Sequence, residues 1–280
     1  VLFLYGGQQM KESFVKYLAG LIDADGCLSF QFKHSSSGYH FLHLRLSITA
    51  SSAVDRNFKM LNTVQKETGL GRISTSTRST GVDEHTENRW EVGRRSELEM
   101  ILPRLIKHMV IKARHFQRLL DKYRELKGVR LSDEDVEELE AFSTESRKNT
   151  GPIKPKKHPT WAWVAGYIDG DGCFINRYYP SKNYHKLDMN VVAHKDDSCG
   201  LELLHKAFKG NIYVVKQGHL RVWVRNLGFS EYSFVKRFLP KLIRYSLIKR
   251  YQMEQILAVH NKRRKQRLIE RGSTEQEKVQ

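Results

Sequence analysis

Residues 17–26 read YLAGLIDADG, an apolar run with helix-forming character that ends in two aspartates, Asp23 and Asp25, and a glycine. Gly26 is the expected stop, because glycine tolerates the left-handed turn that closes many helices. The carboxylates are out of place there, since the free carbonyls at a helix C-terminus already carry partial negative charge. Two acids at that end call for something cationic.

The stretch occurs twice. WVAGYIDGDGC at 163–173 aligns without a gap to YLAGLIDADGC at 17–27, with the Ala, Gly, Ile, both Asp, the closing Gly and the Cys identical. LPRLIKHMVIK at 102–112 is echoed by LPKLIRYSLIK at 239–249, and GLGRI at 69–73 more faintly by FKGNI at 208–212. Three matching segments in one order indicate an internal duplication. Between them the apolar residues alternate, as in His43-Leu44-Arg45-Leu46-Ser47-Ile48-Thr49 and Leu220, Val222, Val224, which is strand periodicity. The fold class is therefore α+β, with two pseudo-symmetric αββαββα halves, each an antiparallel sheet covered by helices on its apolar face. The expected division is 1–128 for the first half, 129–158 for a linker and 159–280 for the second half. Ser132 is the expected N-cap of an acidic helix over 132–147 in that linker, followed by an irregular stretch at 149–159. Thr160 caps the second motif helix. The basic C-terminal stretch from Asn261 reads as a short helix and a loose, solvated tail.

Lys and Arg number 48 against 31 Asp and Glu, a formal net charge of +17 that points to a polyanionic partner. No run approaches the roughly eighteen apolar residues of a membrane span, which leaves nucleic acid. Three cysteines without a CxxC pair suit a reducing, intracellular compartment.

Small residues in both motifs, Ala19-Gly20 and Ala165-Gly166, let two helix backbones approach closely. If the motif helices pack about a pseudo-twofold axis, Asp25 and Asp171 meet, and a divalent cation with oxygen ligands offsets their repulsion. Mg²⁺ is expected, with the helix-end carbonyls of Ala24 and Gly170 as further ligands; Ca²⁺ or Mn²⁺ can substitute. Cys27 and Cys173, just past each acid, are poor partners for Mg²⁺ and read as small packing groups. Alternation assigns an outward set that would face nucleic acid: Ser29, Gln31 and Lys33; Arg45, Ser47 and Thr49; Arg72, Ser74, Ser76 and Arg78; then Arg177 and Tyr179; and Arg221, Trp223 and Arg225. Arg and Gln suit guanine and adenine edges in the major groove. Differences between the halves predict a long, asymmetric site. A solvated sheet face is the plainer alternative.

LAGLIDADG at 18–26 and its variant VAGYIDGDG at 164–172 resemble the motif of the LAGLIDADG homing endonucleases in their single-chain, two-motif form. The resemblance implies a monomer with a saddle of two four-stranded sheets over double-stranded DNA, cutting both strands across the minor groove. It makes Asp25 and Asp171 the metal-binding acids and leaves Asp23 and Asp169 to the local turn. It also implies roles near the scissile phosphates for Lys112 and Lys249, for which a simple phosphate contact is the alternative. The chain departs from the family pattern at Ala50 and Ala193, where a polar residue is usual; Ser51, His194 and Lys195 are the adjacent substitutes. An RNA-binding intron maturase on the same scaffold is the competing function, with intron RNA as partner. Family habit places the gene in an intron or intein of an organellar or microbial genome; without evident splicing-domain residues the free-standing intron-encoded form is preferred, in a mitochondrion or chloroplast where organelle-encoded. The DNA target and host are not legible.

Overall fold

The computed structural model describes residues 10–51, 55–79, 84–148, 150–154, 158–182 and 184–277. The first half runs α1 (Glu12–Asp25), β1 (Gly26–His34), β2 (His40–Ser51), α2 (Asp55–Thr68), β3 (Arg72–Ser79), β4 (Glu84–Val92), α3 (Arg95–His108) and α4 (Ala113–Glu125). Then α5 (Asp133–Arg147) leads to the second half. This repeats the order with α6 (Trp161–Asp171), β5 (Gly172–Tyr179), β6 (Tyr184–His194), α7 (Cys199–Phe208), β7 (Asn211–Val215), β8 (Leu220–Asn226), α8 (Tyr232–Ile243) and α9 (Arg250–Glu277). Both sheets are antiparallel and four-stranded, ordered β1-β2-β4-β3 and β5-β6-β8-β7.

Two expectations about the helices change here. The closing helix of each half is a pair, because the chain breaks at Met109–Lys112 and again at 244–249. The C-terminal segment is one helix from Arg250 to Glu277 in place of a short helix with a loose tail; its apolar anchors Met253 and Ile256 are fully buried. Of the irregular stretch expected at 149–159, residues 149 and 155–157 lie outside the described residues. Ser132 does cap α5, its hydroxyl accepting from Asp135 N while Asp135 accepts from Ser132 N. The α5 helix docks on the first half, with Phe142 stacked on Phe30 at 6.4 Å between centroids.

The motif helices form the centre. From Tyr17 to Asp23 every residue of α1 is buried, as is every residue of α6 from Ala162 to Asp169, so neither helix keeps a solvent face. They cross at their glycines. A Cβ built on Gly20 would stand 2.0 Å from Trp163 O, and one on Gly166 would stand 2.0 Å from Tyr17 O. Gly26 and Gly172 are not left-handed, contrary to expectation; both are extended. They are glycine because a Cβ would strike Ile22 and Ile168 at 2.5 Å.

The duplication reaches the sheet cores. Trp90 on β4 and Trp223 on β8 are fully buried and donate to Leu70 O and Lys209 O. Each is flanked in register by an isoleucine or valine: Ile48 and Ile73 beside Trp90, Val191 and Ile212 beside Trp223.

Gly166→Ala tests the crossing. Overpacking costs about 1–3 kcal/mol where neighbours can shift, and here the obstruction is backbone. Denaturant unfolding is expected to show at least that loss, whereas Gly93→Ala, where a Cβ meets nothing within 4 Å, should lose less.

Candidate active site and nucleic-acid interface

The first aspartate of each motif does not serve a local turn. Asp23 accepts from the backbone N–H of Val110 (2.6 Å), Ile111 (3.2 Å) and Lys112 (2.9 Å), and from Trp163 Nε1 at 2.8 Å. Asp169 accepts from Leu247 N (2.7 Å), Ile248 N (3.1 Å), Lys249 N (3.1 Å), Ser246 Oγ (2.6 Å) and Tyr17 OH (2.9 Å). Each buried carboxylate thus holds the turn that leads into α4 or α9, close to a helix N-terminus, where an anion is favoured. Each also takes a donor from the opposite motif helix. Burial raises the Asp23 pKa, against the pull of the Lys112 and Val110 N–H groups. The donors sit 77–152 residues away in sequence, and no local pattern reveals them.

Asp25 and Asp171 come together at the helix C-termini. A Cβ on Gly170 would lie 2.3 Å from Ala24 Cβ and 3.0 Å from Asp25 Oδ2, so glycine there lets the two ends close up. Both carboxylates reach solvent, Asp25 more than Asp171, but from a floor crowded by protein. Burial raises Asp25, opposed by the charges of Lys112 and Lys249. Asp171 is pushed up to about 7 by burial and by the Asp25 charge.

The two lysines answer the helix dipoles. Lys112 Nζ donates to Ile22 O (3.1 Å), Ala24 O (2.8 Å) and Gly26 O (2.9 Å). Lys249 Nζ donates to Ile168 O (2.6 Å), Asp169 O (2.5 Å) and Gly170 O (3.0 Å). Burial lowers the Lys249 pKa, while Asp169, Asp25 and Asp171 hold it up. Both carbonyls expected to ligate metal, from Ala24 and Gly170, carry an ammonium and keep a second lone pair. Among the described residues no three His, Cys, Asp or Glu side chains gather as a metal cluster. Cys27 and Cys173 are exposed on the outward strand faces, not packed as expected.

Around Asp171 the site has a side pocket of about 300 Å³, lined by Lys112, Tyr167, Asp171, Ala193, His194 and Asp197 among others. Ala193 points to the core side and His194 outward, pairing with Asp196 at 3.2 Å. Lys195 is exposed, and the side chain of Ser51 lies outside the described residues. Asp197 is a carboxylate that motif reading missed. Burial raises its pKa and Lys112 lowers it. The buried Tyr167 hydroxyl has no hydrogen-bond partner among the described residues.

On the first sheet the outward set is placed as expected. Ser29, Gln31, Lys33, Arg45, Ser47, Thr49, Arg72, Ser74 and Ser76 lie opposite the buried Leu28, Phe30, Leu44, Leu46, Ile48 and Trp90. The side chain of Arg78 is outside the described residues. Strand β4 adds Glu87, Arg89 and Glu91 to this face. Glu91 holds Arg72 at 2.6 Å and Arg45 at 3.6 Å, and Arg89 donates to Thr49 at 3.2 Å. These were missed because EHTENRWEV has too few apolar residues to show a period; Trp90 and Val92 were the available signal.

On the second sheet Arg177 and Tyr179 lie outward, beside Lys186 and Tyr184. Strand β8 is inverted relative to expectation. Trp223 is fully buried. Arg221 turns to Ser198 and Glu202, at 3.2 and 3.4 Å. Arg225 binds Glu231 at 2.7 Å and lies 4.1 Å over the Phe234 ring. Leu220, Val222 and Val224 take the outward side. The indole has the larger apolar surface to bury, and the arginines reach carboxylates at the sheet margin while covering apolar surface with their stems.

The model of the family described as LAGLIDADG endonuclease matches residues 18–119 and 164–260, one copy in each half. The chain belongs to the LAGLIDADG endonuclease family. Its fold is shared with the LAGLIDADG homing endonuclease I-GzeII, solved with its DNA target, at TM-score 0.68 and 17% identity over 92% of both chains. I-SmaMI bound to uncleaved DNA with calcium ions superposes at TM-score 0.69 and 18% identity, over 90% of this chain and 92% of that one. The probable intron-encoded endonuclease Cox1-I1b of Schizosaccharomyces pombe is 23% identical over 169 residues, 59% of this chain. The chain spans only 42% of that relative's length. Among the described residues of this LAGLIDADG chain, no helix is long and apolar enough to cross a membrane.

The two aspartates of a motif should separate cleanly by stability. Asp23→Ala leaves three buried donors and one part-buried donor unsatisfied, each buried one worth about 1–3 kcal/mol, and is expected to unfold the protein or cost several kcal/mol in denaturant titration. Asp25→Asn removes a repulsion and should leave the midpoint unchanged or slightly raised.

Proposed function

We propose that this LAGLIDADG protein is a metal-dependent, site-specific endonuclease that acts as a monomer and hydrolyses both strands of a long, asymmetric duplex DNA target. The observation that carries the reading is the pair Asp25 and Asp171, crowded at the seam between two open sheet faces in a chain of net charge +17. The DNA-bound states of I-GzeII and I-SmaMI support placing duplex DNA on those faces. The likeness to an intron-encoded endonuclease supports an intron-borne gene, and with it a mitochondrial or chloroplast setting where that intron is organellar. Intact acids in both motifs favour cleavage over an RNA maturase role.

The donor set suits a hard divalent cation: carboxylate oxygens of Asp25 and Asp171 with the helix-end carbonyls of Ala24 and Gly170. We assign Mg²⁺, with Ca²⁺ or Mn²⁺ able to replace it in binding or activity. When bound, the ion supplies Lewis acidity and a more acidic water beside a phosphodiester. The chain supplies the rest. Lys112 and Lys249, held on the helix ends, place fixed positive charge where negative charge grows on the phosphate. Asp23 and Asp169 keep those lysines in position by capping the turns that carry them. On the Asp171 side, where Ala193 offers no polar atom, Asp197 lines the pocket and is assigned to hold water.

Cleavage of a randomised duplex library, with sequencing of the new ends, tests the function. Ends should cluster on one long asymmetric site, disappear with EDTA and return with Mg²⁺. Asp25→Asn and Asp171→Asn should retain that duplex without cutting it. Scattered ends, or cutting that survives both substitutions, would sink the reading; retention of a specific RNA without DNA cleavage would point to the maturase. Asp197→Asn is expected to slow one strand more than the other, so that nicked duplex accumulates in a time course.

A further inference from the structure

The two sheets are matched in topology but opposite in the chemistry of their outward faces. Aligning them on the buried Trp90 and Trp223 pairs each row of one sheet with a row of the other. The row Thr49–Arg89–Ser74 of the first sheet corresponds to Val192–Val222–Tyr213 of the second. The next row, Ser51–Glu87–Ser76, corresponds to His194–Leu220–Val215. In these rows the first sheet presents the hydroxyls of Thr49, Ser74 and Ser76 with a guanidinium and a carboxylate, whereas the second presents the hydrocarbon of Val192, Val222, Leu220 and Val215, with the Tyr213 ring and the His194 imidazole at its margins. This surface is open: Val192 and Val215 are each 37% exposed and Tyr213 is 51% exposed. Val222, Val224 and Leu220 are half-buried.

A contiguous apolar patch with a polar rim marks an interaction surface, and its position says with what. The patch is continuous with the seam that holds Asp171, since Val192 and Leu220 line the same pocket as that acid. Cationic Arg177 and Lys186 stand further out on the same sheet face, placed for phosphates. Strands of this kind fit the major groove, where hydrocarbon has one specific partner among the bases: the 5-methyl group of thymine.

We infer that the sheet of the second half reads thymine methyl groups, so that the half-site beneath it is rich in T·A pairs, while the polar first sheet reads donor and acceptor edges. This rests on the endonuclease reading and adds the chemistry of one half of its target. Val222 and Tyr213 are the central readers, with Val192 and Leu220 flanking them.

The test uses the full chain and the site recovered from the randomised library. Arg45→Ala on the first sheet assigns the halves, because it relaxes selection in one of them. The other half should be enriched in T·A pairs in the wild type. Replacing its thymidines by deoxyuridine removes the methyls and keeps the pairing. Affinity should fall about fourfold for each methyl lost from contact, while the same replacement in the Arg45 half should change nothing. Val222→Ser, on an exposed face, should fold normally, lose part of the deoxyuridine effect and relax T·A selection locally. Equal sensitivity in both halves, or none in either, would overturn the inference while leaving the endonuclease intact. So would a DNA-free dimer that Val222→Ser dissociates without altering DNA selection, which would assign the patch to a second copy of the chain. Absence of any enriched duplex would overturn the endonuclease and this inference together.

Discussion

At Gly20 and Gly166 the two motif helices meet backbone to backbone, with the carbonyl oxygens of Trp163 and Tyr17 standing where side chains would otherwise be. That contact brings the helix ends close enough for the rest of the centre to form. Trp163 reaches Asp23 across it, and Tyr17 reaches Asp169. Each buried carboxylate then holds the turn that carries a lysine, and each lysine returns to the C-terminal carbonyls of the helix where the carboxylate began. The loop is closed within each half and cross-linked between halves. The same contacts that pack the core place the site.

The four aspartates divide the work by burial. Asp23 and Asp169 are desolvated but satisfied by backbone N–H groups at helix starts, so they are structural anions. Among the described residues Asp25 and Asp171 receive no such donors. The ammonium groups of Lys112 and Lys249 favour their charged forms, while burial raises both acids and the Asp25 charge helps push Asp171 up to about 7. The motif spacing D-x-D places one acid inward and its neighbour outward at a helix end.

Symmetry in the core coexists with asymmetry on the surface. The tryptophans, the motif helices and the capping aspartates repeat almost residue for residue. The outward strand positions do not, and neither does the pocket beside Asp171, where Tyr167 stands in place of Leu21. Core positions are constrained by packing against their pseudo-symmetry mates. Positions facing a target are free to diverge as far as the two halves of that target differ.

Local sequence was enough for the duplication, the motif helices, the alternating strands β1, β2 and β3, the N-caps at Ser132 and Thr160, and the basic character of the surface. Each rests on neighbours within a few residues: a repeated string, a period of two, a hydroxyl before a helix. Tertiary structure decided the rest. Asp23 and Asp169 found donors far along the chain. Lys112 and Lys249 became helix caps because α4 and α9 begin against the motif helices. Strand β8 carries apolar or amphipathic side chains on both faces, so period alone could not orient it. The larger surface of Trp223, and carboxylates waiting at Glu202 and Glu231, turned that strand over. Alternation fixes which residues share a face; only the packing partner decides which face is buried.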